Sequence, residues 1–280
     1  PSLQNARANS EIPITLFWRA ESDVLEDYSV FLQLLDKDGK LAAQRDSLPN
    51  NGFTPTMLWQ PGETVRDAHT LKLPSNLAPG IYRLVTGLYR FRDLSRLSVT
   101  TSQGASDEDF VVLGQVKIPA DIPSFAPAQR LQIQVGPDIQ LRGFTLESRG
   151  NQFARATNGA PAQLTTSSRS TLHLTLEWFA RNKLARDYKV FVHLVDANGN
   201  VVRQQDSSPV RGAYPTSIWD ANERVVDALE LALNDLATGE YVLRVGMYDA
   251  ETGERLPLRN PDGTELPNRA LELARVTLVP

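Results

Sequence analysis

Apolar and polar positions alternate with a period of two in short runs along this chain, and no stretch of useful length carries the 3.6-residue period of an amphipathic helix. Ile12 to Trp18, Tyr28 to Leu35, Ala68 to Leu73 and Ile81 to Tyr89 read as strands, rich in the β-branched and aromatic residues that suit a pleated surface. In Ile81 to Tyr89 both alternating sets are largely apolar, which predicts a central strand buried on two faces. Asp36-Lys37-Asp38-Gly39 and Asp196-Ala197-Asn198-Gly199 read as hairpin turns in which the glycine supplies a positive φ. Lys40 to Arg45 and Asn200 to Gln205 are the returning strands. Pro1 to Glu11 is polar and aperiodic and reads as a leader. Asp46 to Asp67 is rich in Pro, Gly and Asn and reads as a long ordered loop.

These elements occur twice. Trp18 to Leu73 returns 160 positions later as Trp178 to Leu233, sharing W-x-A-x6-D-Y-x-V-F-x2-L-x-D-x2-G-x4-Q-x-D-S-x-P-x2-G-x2-P-T-x2-W-x3-E-x-V-x-D-A. Gly80, Tyr82 and Leu84 then match Gly239, Tyr241 and Leu243 at an offset of 159, one residue having been lost in the preceding turn. A glycine two residues before a tyrosine that opens a long strand resembles a tyrosine corner, whose phenol reaches back to the turn before it. Phe110 to Ile118 and Ala270 to Leu278 close the two units. The expected fold is therefore all-β, two tandem immunoglobulin-like antiparallel β-sandwich domains, at 1–119 and 128–280, with proline-rich 120–127 as a stiff linker. Leu131 to Val135, Ile139 to Leu146 and Gln152 to Thr157 read as three strands that the first domain lacks. Their counterparts are expected upstream of Pro1, and a chain opening on proline reads as a piece of something longer.

Composition removes several function classes. With 29 Lys plus Arg against 33 Asp plus Glu the formal charge is -4, and the basic residues are dispersed, so no footprint for nucleic acid exists. The absence of cysteine excludes disulfides, thiolate metal sites and a cysteine nucleophile. No apolar run approaches the roughly 20 residues of a membrane helix. His69, His173 and His193 are unpaired between the copies and match no zinc spacing, and no phosphate-cradling, dinucleotide or nucleophile-elbow motif occurs. Nothing calls for a cofactor or a metal.

The candidate chemistry lies in the repeat. Trp18 and Trp178 sit on alternating strands and are assigned to the core. Trp59 and Trp219 follow Pro-Thr on the long loop, where an exposed indole, widened by Phe53 or Tyr214, would stack on a sugar ring; the alternative is that each plugs the open end of its sandwich. Trp219, Tyr214, Asp206, His193, Trp59 and Phe53 are the ligand-binding candidates. Asp46, Glu63 and Asp67 recur as Asp206, Glu223 and Asp227; two of them facing one cleft would suit glycoside hydrolysis, whereas Asp46 and Asp206 are expected to accept backbone N–H groups in the loop. Asp36-x-Asp38-Gly39 lacks the further ligands of a calcium loop, and its second copy has Asn198 in place of Asp38.

The run Asp187-Tyr188-Lys189-Val190-Phe191-Val192-His193-Leu194-Val195-Asp196, with Gln205-Asp206, Tyr214-Pro215-Thr216, Trp219, Gly246-Met247-Tyr248-Asp249 and Arg255-Leu256, resembles a β-sandwich module of bacterial membrane glycosyltransferases of the dolichyl-phosphate-mannose and aminoarabinose transferase type. The likeness covers nearly all of the second unit, Ile139-Gln140-Leu141-Arg142-Gly143-Phe144 included, and the first from about Ile14 to Pro119. It implies an extracytoplasmic location beside a membrane domain outside this chain, which would hold the catalytic carboxylates. The expected function is thus a non-catalytic accessory module with a glycan as partner. Its rivals are a structural spacer or protein-interaction domain and, more remotely, a glycoside hydrolase. The first copy departs from the pattern with Gln33 for His193, Thr54 for Tyr214 and Arg90 for Asp249, which puts a ligand site shared by both copies in doubt.

Overall fold

A computed structural model describes residues 3–102, 104–148 and 161–280. The chain divides into two compact units, Pro1–Pro119 and Ala120–Pro280, both made of strands. No helix among the described residues is long and apolar enough to cross a membrane.

The first unit contains β1 (Leu3–Asn5), β2 (Glu11–Arg19), β3 (Tyr28–Leu35), β4 (Leu41–Ser47), β5 (Thr64–Lys72), β6 (Gly80–Arg90), β7 (Thr100–Thr101), β8 (Gly104–Ala105) and β9 (Val111–Ile118). One five-stranded sheet runs β1-β9-β6-β3-β4, and β2 and β5 form a two-stranded sheet of their own. The period-two pattern explains how they meet. Ile12, Ile14 and Leu16 point inward from β2 while Glu11, Pro13, Thr15 and Phe17 face outward. Their apolar face packs on Val30, Leu32, Leu34, Leu84 and Val116 of the larger sheet.

The second unit contains β10 (Gln129–Val135), β11 (Ile139–Ser148), β12 (Ala162–Ser167), β13 (Thr171–Ala180), β14 (Tyr188–Val195), β15 (Val201–Ser207), β16 (Arg224–Ala232), β17 (Gly239–Asp249), β18 (Leu258–Arg259) and β19 (Leu271–Val279). Two five-stranded sheets, β16-β13-β11-β10-β18 and β12-β19-β17-β14-β15, enclose a single core. Leu141, Phe144, Trp178 and Leu229 enter it from one sheet and Val190, Leu194, Leu243 and Val276 from the other.

Local signals translate directly into geometry. Tyr82 Oη donates to the Ala78 carbonyl at 2.7 Å and Tyr241 Oη to that of Ala237 at 2.8 Å, the expected tyrosine corners. Gly39 and Gly199 adopt φ of 78° and 87°. Asp36 Oδ1 accepts the N–H groups of Asp38 and Lys40, and Asp196 repeats the arrangement, so these acids fasten hairpin turns.

Other expectations require correction. The leader contains β1, which pairs in parallel with β9, and β12 pairs in parallel with β19; the sheets are otherwise antiparallel. Two of the three extra strands are β10 and β11, while Gln152 to Thr157 lies outside the described residues. The long loop is shorter than predicted, because β4 continues to Ser47 and β5 begins at Thr64. The proline-rich segment is held against the second unit and is not a free linker. Ala120 is buried, its carbonyl accepts the Val226 N–H at 2.9 Å, and the Arg224 guanidinium binds the Asp121 carboxylate and the Ile122 and Phe125 carbonyls.

Candidate functional site

The Trp loops come first, because the sugar-stacking expectation rests on them. Trp219 and Tyr214 are both 0% exposed. Trp219 Nε1 donates to the Tyr214 carbonyl at 3.1 Å, and Tyr214 Oη donates to Glu223, whose other oxygen accepts the Asp220 N–H at 2.6 Å. Burial, reinforced by the Glu223 hydrogen bond, raises the Tyr214 phenol far above its ordinary value. Trp59 is buried likewise, with Nε1 on the Thr54 carbonyl at 3.0 Å. Of the two readings of these loops, the plug fits Trp219, Tyr214 and Trp59, whose rings are buried at the end of their sandwiches. Phe53 is the one loop aromatic of the candidates that is open, at 87% exposure, and no second exposed candidate ring stands beside it to widen a platform.

A hydroxyl holds each loop in place. Thr216 Oγ1 accepts the Tyr188 N–H and donates to the Arg186 carbonyl, both at 2.8 Å, and Thr56 does the same for Tyr28 and Glu26. The Pro-Thr motif thereby ties the loop to the start of β14 or β3.

Asp206 and His193 lie elsewhere, on the outer face of the sheet containing β14, β15 and β17. Phe191 lies flat there because its partner in register is Gly246; a Cβ at Gly246 would run into the ring, as one at Gly87 would meet Phe31 at 2.5 Å. His193 flanks Phe191 at 4.8 Å, Tyr248 flanks it at 6.5 Å, and the Arg255 guanidinium covers it at 4.4 Å. His193 Nε2 is 3.4 Å from Asp206 Oδ1. Burial lowers the imidazole pKa and Arg255 adds to this, while Asp206 opposes it. The expected loop role of Asp46 and Asp206 is also corrected: loop N–H groups are accepted by Asp67, from Asn50, and Asp227, from Val210, and by Glu63 and Glu223 from Gln60 and Asp220. The first copy keeps the shelf with Phe31, Tyr89 and Arg96 over the ring at 4.2 Å, but Gln33 replaces the imidazole and binds Arg96. Its common element is an arginine stacked on a phenylalanine, a packing motif with a polar rim.

His69 is the residue that spacing arguments missed. It lies two positions after Asp67 on β5 and so on the same face, which was the available signal. Its Nε2 contacts Asp67 Oδ2 at 2.6 Å and its Nδ1 faces Ser47 Oγ at 3.3 Å, with Trp18 Nε1 donating to the same carboxylate at 3.0 Å. Burial would raise the Asp67 carboxyl, but hydrogen bonds from His69, the Asn50 N–H and Trp18 outweigh it and hold the pKa below the ordinary value. The second copy has Leu229 in place of His69, and there burial prevails, pushing Asp227 up to about 6. The Asp67 and His69 side chains are enclosed, so the buried carboxylate finds its hydrogen-bond partners inside the protein, in His69, the Asn50 N–H and Trp18.

One cleft in the second unit, about 910 Å³, is bordered by Gln129, Arg130, Gln140, Arg142, Asn260 and Leu271. Arg142 lies flat on Phe179 at 3.3 Å. Among the described residues no three of His, Asp and Glu converge as metal ligands would. No family model matches the chain, and no curated protein matches it either.

Proposed function

We propose that this chain is a non-catalytic accessory module, a tandem of immunoglobulin-like sandwiches that acts as an extracytoplasmic spacer and protein-interaction element of a membrane-associated protein of the glycosyltransferase kind. The observation that favours a spacer over a sugar-stacking module is the complete burial of Trp219 and Tyr214, with indole and phenol both hydrogen-bonded inside the loop; the membrane setting rests on the sequence resemblance. The aromatics repeated in the two copies are thereby spent on cohesion. The repeated acids support the same view, since Asp206 borders His193 while Glu223 accepts from Tyr214 and Asp220, two separate networks and not a facing pair.

The polar cleft around Arg142 favours a second reading, in which a glycan is held by amides and guanidinium groups. A glycan array probed with the full chain separates the two. Uniform silence is the expected result; a reproducible signal that Arg142→Ala abolishes would replace the spacer with a saccharide-binding module.

A further inference from the structure

The two units differ most along one edge. β2 pairs with β5 in the same register as β13 with β16: Trp18 stands opposite Val65 as Trp178 does opposite Val225. On its other side β13 carries β11 along its whole length, from Ile139 opposite Ala180 to Ser148 opposite Leu172, and β10 lies beyond. β2 has no such neighbour among the described residues.

The consequences are visible in the packing. Trp178 is 0% exposed, whereas Trp18 is only half-buried. Leu273 is buried, whereas its counterpart Leu113 is half-buried. In the second unit Ala180, Trp219 and Val225 belong to one continuous core; in the first, Ala20, Trp59 and Val65 form a small cluster apart from the rest. The difference traces to Leu141, Phe144 and Leu146 of β11, which fill the second core and have no equivalent in the first among the described residues. Phe17, on the open strand, is 67% exposed where the second copy has a buried glutamate, Glu177.

We infer that the open edge of β2 is the seat of an antiparallel β-hairpin of the β10–β11 kind, leading into β1. Chain order identifies the occupant: β1 lies along β9 as β12 lies along β19, and in the second unit the hairpin on this edge precedes β12. Its inner strand carries apolar side chains over Trp18, Leu16 and Ile14, as Leu141, Phe144 and Leu146 do over Trp178, Leu176 and Leu174.

The test uses a synthetic hairpin spanning residues 128–148 of this chain, added to the full chain, with amide hydrogen exchange as the readout. Open-edge amides of β2 between Ile14 and Arg19 are expected to exchange at least about tenfold more slowly, while β13, already paired, is unchanged. A hairpin with Asp at the positions of Leu141, Phe144 and Leu146 is expected to give no protection. Absence of protection at millimolar hairpin would overturn the inference. So would protection by the Asp-substituted hairpin, or β2 protection that rises with protein concentration alone, which would make the occupant a second copy.

Discussion

Two aspartates at matching positions of the repeat are shifted in opposite directions, and the largest difference in their surroundings is the His69 imidazole beside Asp67, with the Trp18 indole N–H adding to it. Asp67, facing His69, is held below its ordinary value, so its contribution to stability is present above that value and is lost as pH falls through the folded pKa. Asp227, facing Leu229, is raised from 3.8 to about 6, so its contribution is full below 3.8 and is lost as pH rises through about 6. Carboxyl-carbon NMR is expected to find Asp227 titrating near 6 and Asp67 below the usual carboxylate range; His69→Leu is expected to move Asp67 upward. Two acids titrating alike would refute the account. Trp178 supplies a second check at this scale. Fully buried between two sheets, it leaves a large cavity when truncated, so Trp178→Ala is expected to cost about 3 to 5 kcal/mol in denaturant unfolding.

At the scale of elements, what could be read in advance was whatever the local chain determines. Alternation fixed β3 at Tyr28–Leu35 to the residue, and Gly39, Gly199, Tyr82 and Tyr241 marked their turns. β1 escaped notice because Leu-Gln-Asn carries no pattern; only its pairing with β9 makes it a strand. The strap at 120–127 read as a linker because prolines signal stiffness and say nothing about the Arg224 side chain that captures it. The Trp loops hold one testable asymmetry. Asn50 and Val210 occupy the same left-handed position, at φ of 49° and 55°, and a β-branched residue is strained there. Asn50 also gives its amide to the Arg66 carbonyl and accepts the Ala68 N–H. Val210→Asn is therefore expected to stabilise the protein by about 1 kcal/mol, and a lower melting temperature would contradict this.

For the molecule as a whole, duplication was plain in the sequence, but the fate of the shared aromatics was not. An indole after Pro-Thr on a loop looks the same in one dimension whether it faces solvent or the core; only the closing of two sheets around Trp219 separates the cases. His69 and Leu229, by contrast, show how copies diverge inside a common frame. The threonine clips carry one more implication. Because a single hydroxyl at Thr56 or Thr216 bonds both to the backbone just before a strand and to that strand's first amide, lifting the loop and fraying the strand become one step. Anything that pries at the tryptophan must loosen a central sheet as well, so these ends of the sandwiches behave as locked lids and not as gates.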